Sequence, residues 1–296
     1  MRKEIEINAE GVILRGWLYT PADKSETPAP IIVMAHGFSA VKEQYLDRYA
    51  EIFSNSGFSV LVFDHRNFGE SDGTPRQEID PWQQIRDYRH AITFASLLPE
   101  VDKNRIGIWG TSYSGGHVLV VGAIDRRVKC VVSQAPTISG SANAQRRIRP
   151  DLVSATIARL NEDRVDRFEG KDPIMIPVVG EELTTPCALA GKEPWEFFQS
   201  SKSFAPNWHN EITLRTVEMA REYEPGIYIP RISPTPLLMI VANQDTVTPT
   251  DLALKGYEEA LHPKKLVLLK GGHFVPYIEQ FEASSNAAKK WFTKHI

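Results

Sequence analysis

Four short apolar runs, at 31–35, 59–63, 106–109 and 128–133, alternate with stretches of helical character in the first half of this chain of 296 residues. A strand that is apolar on both faces must be covered on both faces, and strands interleaved with helices connect most simply in parallel. The pattern therefore predicts a mostly parallel sheet with helices on both sides, an α/β architecture. The helical stretches fit this reading. Residues 44–56 stop at Gly57, a common residue just past a helix end. Residues 81–98 carry Ile85, Tyr88, Ala91, Ile92 and Ala95 at helical spacing. Ahead of them, 3–8 and 12–19, joined at Glu10-Gly11, read as antiparallel strands, and 21–30 as a polar, proline-bearing loop.

The alternation stops near residue 135. From 136 to 233 no continuous apolar strand occurs, and helical pieces at 152–164, 195–199 and 211–222 are separated by prolines and aromatics. Sheet chemistry resumes at 236–241, followed by a helix at 250–260, a strand at 265–269 and a final helix ending near Phe292. The expected organisation is a core formed by 1–135 and 234–296, interrupted by a mostly helical cap over 136–233.

The segment Gly110-Thr111-Ser112-Tyr113-Ser114-Gly115 lies between the strand at 106–109 and an apolar helical run at 118–124. Strand, sharp turn and helix with serine at the apex expose a hydroxyl on a strained backbone. The small residues around it answer a steric need, because backbone meets backbone there. A serine hydroxyl is a weak nucleophile that needs a histidine base, itself oriented by a carboxylate. Asp245 follows the apolar strand at 236–241, and His273 follows the strand at 265–269. Parallel strands bring their carboxyl ends to one rim, where Ser112, Asp245 and His273 would converge. Asp251 competes for the acid role but is better placed to open the next helix. Among the rival histidines His36, His65, His117 and His262, none follows the last strand in the order serine, aspartate, histidine. The loop His36-Gly37-Phe38 ends the strand at 31–35 on the same rim, so the backbone N–H groups of Phe38 and Tyr113 are the expected oxyanion donors. His36 is expected to bond within that loop, and His65 and Arg66 to brace the turn after Asp64.

These motifs together resemble the α/β-hydrolase superfamily. Asp64-His65-Arg66-Asn67-Phe68-Gly69-Glu70-Ser71 is similar to that family's D-x-R-x-x-G-x-S loop, and Gly-Thr-Ser-Tyr-Ser-Gly-Gly-His at 110–117 resembles dienelactone-hydrolase-like enzymes and the fungal polyketide acyltransferase group. Ser114 stands where the common motif has glycine. The residues and the resemblance imply a serine hydrolase that cleaves a carboxylic ester or thioester through an acyl-enzyme on Ser112. An acyltransferase or an amidase/peptidase would use the same triad, and a non-catalytic binding protein on this scaffold is the reading from another class. No cofactor or metal is required, and the partner is a small-molecule acyl substrate. Phe38, Tyr113, Trp195 and Trp208 are the expected pocket residues, with packing inside the cap as the other reading of the two tryptophans. Arg146, Arg147 and Arg149 could hold a carboxylate or a phosphopantetheine arm, or simply form an exposed basic face.

Composition narrows the rest. A net charge of −3 offers no basic field for nucleic acid. No run approaches the length of a membrane span, and the alternating N-terminus lacks a signal peptide's apolar core, so the expectation is a cytoplasmic enzyme. Cys130 and Cys187 lie in neither a redox nor a zinc spacing, and no disulfide between them is expected. A homodimer is compatible with the sequence but not required by it.

Overall fold

A computed structural model describes residues 1–21 and 28–296; most of the loop expected at 21–30 lies outside the described residues. The central sheet has eight strands: β1 (Arg2–Ala9), β2 (Val12–Tyr19), β3 (Ala29–Ala35), β4 (Ser59–Phe63), β5 (Val101–Thr111), β6 (Val128–Gln134), β7 (Leu237–Ala242) and β8 (Lys264–Leu269). Their spatial order is β1-β2-β4-β3-β5-β6-β7-β8. Strands β3 to β8 are mutually parallel, while β1 and β2 join antiparallel at one edge.

The buried strands divide their side chains between two cores with the period of two that a pleat imposes. Ile31, Val33 and Ala35 of β3 face one core, together with Leu61 and Phe63 of β4 and Ile106 and Ile108 of β5. Ile32 and Met34, with Val60, Val62 and Trp109, face the other. Helix α1 (Leu46–Ser54) covers the second face through Leu46, Tyr49, Ala50 and Phe53, beside α9 (Phe281–His295) with Ala288, Trp291 and Phe292. Helix α2 (Pro81–Ser96) covers the first face through the residues whose spacing predicted it. Pro81 opens α2 and the Asp80 carboxylate caps it, accepting from the N–H groups of Trp82 and Gln83. Helix α3 (Tyr113–Ile124) is buried all round and follows β5 through the serine turn, and α8 (Thr250–Glu259) follows β7.

Between β6 and β7 run α4 (Gly140–Arg147), α5 (Val153–Phe168), α6 (Lys192–Ser201) and α7 (Leu214–Glu222). Two-residue strands also pair there, Met175–Ile176 with Ile212–Thr213 and Val179–Gly180 with Leu189–Ala190, where no strand was expected. They are too short to carry an apolar run. Helix α4 was not expected either, because Gly-Ser-Ala-Asn-Ala-Gln-Arg-Arg has no apolar stripe. It is started by the Ser139 hydroxyl, which accepts from the Ala142 N–H, and its Gly140 N–H donates to the Tyr223 carbonyl of the segment after α7. Phe197, Phe198, Trp208, Ile212 and Leu214 join the first core, so these elements share one apolar cluster with the sheet. Among the described residues no helix is long and apolar enough to cross a membrane.

Candidate active site

The carboxyl ends of β3, β5 and β7, with the loop after β8, meet at one rim. There Ser112, His273 and Asp245 form a continuous chain: His273 Nε2 lies 3.0 Å from Ser112 Oγ, and His273 Nδ1 lies 2.7 Å from Asp245 Oδ2. Asp245 is held by its own turn. Its Oδ1 accepts from the N–H groups of Val247 (2.8 Å) and Thr248 (2.7 Å), and its Oδ2 from the Thr248 hydroxyl at 2.9 Å. The carboxylate is thus fixed by three donors besides the imidazole, and the imidazole is oriented with Nδ1–H toward it and Nε2 free to take a proton. Asp251, the rival acid, opens α8 and is paired with Arg146 (2.6 Å).

Ser112 has φ 56° and ψ −114°, a conformation that L-residues rarely adopt. Its backbone is over-determined by bonds that hold it there: its N–H donates to the Gln134 carbonyl (2.8 Å), and its carbonyl accepts from Thr137 N–H (3.0 Å). Two glycines are sterically required. A Cβ on Gly110 would stand 2.1 Å from the Ser114 carbonyl oxygen, and one on Gly37 would stand 2.8 Å from Ser112 Cβ. Gly37 therefore lets the loop after β3 lie directly on the serine. Neither Phe38 N–H nor Tyr113 N–H donates to a protein acceptor among the described residues, which leaves both free beside Ser112.

Ser114, the departure from the common motif, is fully buried, with its hydroxyl 2.8 Å from His65 Nε2. That bond ties the serine turn to the loop after β4. His36 accepts from the His65 backbone N–H at Nε2 (3.1 Å), so its Nδ1 carries the proton and donates to the Gly37 carbonyl (3.0 Å). His117 lies between the Tyr223 hydroxyl and Gln84 Oε1, each at 2.9 Å. Burial pulls His36 down to about 4 and His117 to about 3, and His65 well below the usual histidine value. All three are neutral scaffold groups at neutral pH.

The loop after Asp64 is centred on a residue that the sequence did not single out. Lys42 is fully buried, with its ammonium 2.9 Å from Asp64, 2.6 Å from Glu70 and 2.9 Å from Glu43. These carboxylates converge as metal ligands could, but the lysine ammonium sits between them. Burial alone would lower its pKa; the surrounding carboxylates outweigh that and raise it, so the protonated form is held. Arg66 adds a two-pronged bond to Asp87 of α2 at 2.5 and 2.6 Å. No periodicity marks Lys42; the Asp64 loop motif was the available hint that a buried carboxylate would need a cation.

Above the rim is a cavity of about 740 Å³. Phe38, Ser112, Tyr113 and His273 line it, with the Phe38 and Tyr113 rings meeting edge to face at 5.5 Å. Trp195 and Trp208 do not line it, which corrects their place among the expected pocket residues. Trp208 is buried, stacked on Phe198 at 4.9 Å, and Trp195 packs on the apolar core. Phe197 and Phe198 take the wall position instead, Phe197 stacking at 4.3 Å on Phe274, the neighbour of His273. Phe197, two positions after Trp195, projects from roughly the opposite side of α6. Both cysteines are free, Cys130 buried and Cys187 at the cavity edge.

Comparison with known proteins agrees with this geometry. A family model described as X-Pro dipeptidyl-peptidase (S15 family) matches residues 10–275. A thiohydrolase from Aspergillus aculeatus is 36% identical over 270 residues, covering 89% of this chain and 83% of the relative. The polyketide transferase GrgF from Penicillium is 30% identical, covering 100% of this chain and 97% of the relative. The crystal structure of an α/β hydrolase of that name from Penicillium sp. sh18 matches with a TM-score of 0.84 at 28% identity, over 100% and 99% of the two chains. A structure of DcsB in complex with its substrate analogue matches with a TM-score of 0.87 at 29% identity over 100% of each chain. This chain is therefore an enzyme of the hydrolase and acyltransferase type with an α/β-hydrolase fold, and it belongs to the family described as X-Pro dipeptidyl-peptidase (S15).

Proposed function

We propose that the protein cleaves a thioester or carboxylic ester through an acyl-enzyme on Ser112. The observation that carries this reading is the unbroken chain Asp245–His273–Ser112, with both links within hydrogen-bond distance. In the first half-reaction Ser112 Oγ bonds to the substrate carbonyl carbon while its proton passes to His273 Nε2. Asp245 orients the imidazole and stabilises its charged form. The backbone N–H groups of Phe38 and Tyr113 receive the developing oxyanion. The bond to the leaving thiol or alcohol breaks, and His273 returns the proton to it. Water then attacks the acyl-enzyme and gives a proton to His273; the bond to Ser112 Oγ breaks, His273 returns that proton to Oγ, and the acid leaves. The segment over 136–233 acts as a cap that selects the acyl group. The thiohydrolase relative supports the thioester form of the substrate.

A second reading, acyl transfer to a bound alcohol or amine, is supported by the polyketide transferase relative and by a cavity large enough for donor and acceptor together. Peptidase action of the kind in the family's description is less well supported. A free peptide amino terminus calls for carboxylates, and among the described lining residues Glu193 is the one acidic side chain. A fluorophosphonate probe should label wild-type protein at Ser112 and leave Ser112→Ala unlabelled. Absence of labelling in folded wild-type protein, beside a reactive control hydrolase, overturns the serine mechanism. Adding an alcohol or amine to the esterase assay then separates the two readings by whether the product is acid or acyl conjugate.

A further inference from the structure

The cavity over Ser112 has a charge opposite to that of the whole protein. The chain carries a net charge of −3, yet five arginines (Arg146, Arg147, Arg149, Arg159 and Arg221) and Lys192 line the cavity, against Glu193 alone among the described lining acids. Most surface cations of this sort are neutralised locally, and some here are. Arg146 makes a two-pronged pair with Asp251, Arg149 pairs with Asp151, and Lys192 lies near Glu196. Arg147 differs. It has no carboxylate partner among the described residues; its guanidinium donates to the Val247 carbonyl, on the turn that holds Asp245. Arg147 is exposed, on a wall of the cavity that opens to solvent. At neutral pH it is a cation with no carboxylate within ion-pair distance among the described residues; Asp245 is the acid that acts on it from farther away. Arg159 and Arg221 likewise have no carboxylate partner among the described residues.

A second observation falls on the same helix face. Asn143 precedes Arg147 by four positions on α4, so the two side chains are neighbours along one stripe. Asn143 is 7% exposed and lines the cavity, and its Oδ1 is buried with no hydrogen-bond partner. Buried amides are normally satisfied, and an unsatisfied one costs free energy unless a ligand supplies the partner. A guanidinium without an anion and a carboxamide that can turn to offer its Nδ2–H, one turn apart on the wall of the cavity over Ser112, together suit the oxygens of an oxyacid.

We propose that Arg147 and Asn143 bind an anionic group of the acyl substrate, a carboxylate on the acyl chain or a phosphate on the thiol arm, and so set which esters and thioesters reach Ser112. The assignment rests on the acyl-enzyme reading above. A guanidinium presents parallel N–H donors to two oxygens of such a group, and the carboxamide, turned about its Cβ–Cγ bond, puts Nδ2–H where Oδ1 now stands and donates to a further oxygen. Arg146 and Arg149, already neutralised, are spectators.

The test compares matched substrates: p-nitrophenyl butyrate with mono-p-nitrophenyl glutarate, and butyryl-N-acetylcysteamine with glutaryl-N-acetylcysteamine and butyryl-coenzyme A. Wild-type enzyme should favour an anionic member in kcat/KM. A preference for the glutaryl compounds assigns the anion to the acyl chain, and one for the coenzyme A ester assigns it to the thiol arm. Arg147→Met should reduce the anionic-to-neutral ratio roughly tenfold or more through KM, the effect expected for a lost charge-assisted hydrogen bond. Asn143→Leu should reduce the same ratio by less. A mere brace on the Asp245 turn would lower all substrates in proportion and leave the ratio unchanged, and that outcome overturns the proposal, as does a wild type without anionic preference. Should Arg147→Met fail to fold, competitive inhibition of wild-type butyrate hydrolysis by glutarate or inorganic phosphate decides, and absence of inhibition by both overturns the proposal. If no substrate is turned over and Ser112 resists labelling, the acyl-enzyme reading fails instead. Glutarate or phosphate binding by calorimetry, lost in Arg147→Met or in Arg147→Gln, would still test the anion site alone.

Discussion

The rim of the sheet and the segment between β6 and β7 obey different rules. At the rim each functional group ends a strand or begins a helix. Ser112 follows β5, Asp245 follows β7 and His273 follows β8, so the hydrogen-bonded register of the sheet sets their separations. In the intervening segment the walls come from short helices joined by loops and two-residue strands, and positions there depend on packing rather than on a ladder. A sheet rim suits chemistry that tolerates little displacement, whereas a wall of short helices and loops can vary its lining without disturbing that chemistry. The contrast teaches where substitutions should hurt catalysis and where they should redirect it.

The largest expected effect breaks the rim. Ser112→Ala or His273→Ala should lower kcat on a p-nitrophenyl ester by about four orders of magnitude, as loss of a triad member does, in protein that still folds. Near-wild-type turnover by His273→Ala would remove it from the mechanism and undo the distinction between rim and wall.

The same contrast explains how much could be read from the sequence. Strands such as β3 and β4 are buried at every position because both faces are covered, and their nearly continuous apolar sequence is a local signal, so their existence and their common rim followed directly. The ordering of Asp245 before His273 was legible too, each lying just past a strand, although β8 is a partly exposed edge strand that begins with two lysines. Helix α4 was not, since its Gly-Ser-Ala-Asn start is polar throughout and is fixed by a serine cap and by contact with the distant Tyr223. The choice between pocket wall and packing for Trp208 could not be read from the sequence, because an aromatic side chain between loops can face either way, and packing against Phe198 decides. Lys42 was invisible because a lone lysine before a helix ordinarily lies in water. Its burial is imposed by Asp64, twenty-two positions later.

That lysine gives the next test. Lys42→Met leaves the Asp64 carboxylate buried without its cation, and removing one partner of a buried pair typically costs about 3–5 kcal/mol. Urea unfolding should show that loss through a lower midpoint at unchanged slope. A loss below ~1 kcal/mol, the range of exposed pairs, would mean that the Asp64 loop is held by its backbone bonds alone.

Acid should loosen the contact between α3 and the segment that joins β6 to β7. His117 of α3 bonds to Tyr223 beyond α7, with Gln84, His65 and Tyr113 as its other neighbours. Its folded-state pKa, about 3, and that of His36, about 4, lie below the unfolded value of 6.5. Below pH 6.5 the unfolded chain therefore takes up protons that the native protein refuses, and stability falls as pH drops from 6.5 toward 4. Each of these histidines should contribute a loss on the order of 3 kcal/mol by pH 4. His117→Asn should make the pH dependence of unfolding free energy shallower by about one proton in that window. An unaltered slope would show that the histidine is already charged in the folded protein.

The smallest effect concerns two aspartates six positions apart. Asp245 and Asp251 are the same side chain on the same stretch after β7, and both bridge to another element. Asp245 is buried against His273, whereas Asp251 is paired with Arg146 in water, with 66% of its side chain exposed. An exposed ion pair stabilises little because solvent screens it and ordering two side chains costs entropy. Asp251→Asn should therefore leave the melting temperature and p-nitrophenyl butyrate turnover within error of wild type, while Asp245→Asn, which removes the charge that stabilises the imidazolium, should cut turnover by about four orders of magnitude. If the two variants were equally impaired, residue position along the rim would not be what distinguishes them, and the link from α8 to α4 would have to be counted as part of the reacting site rather than as a contact between wall and core.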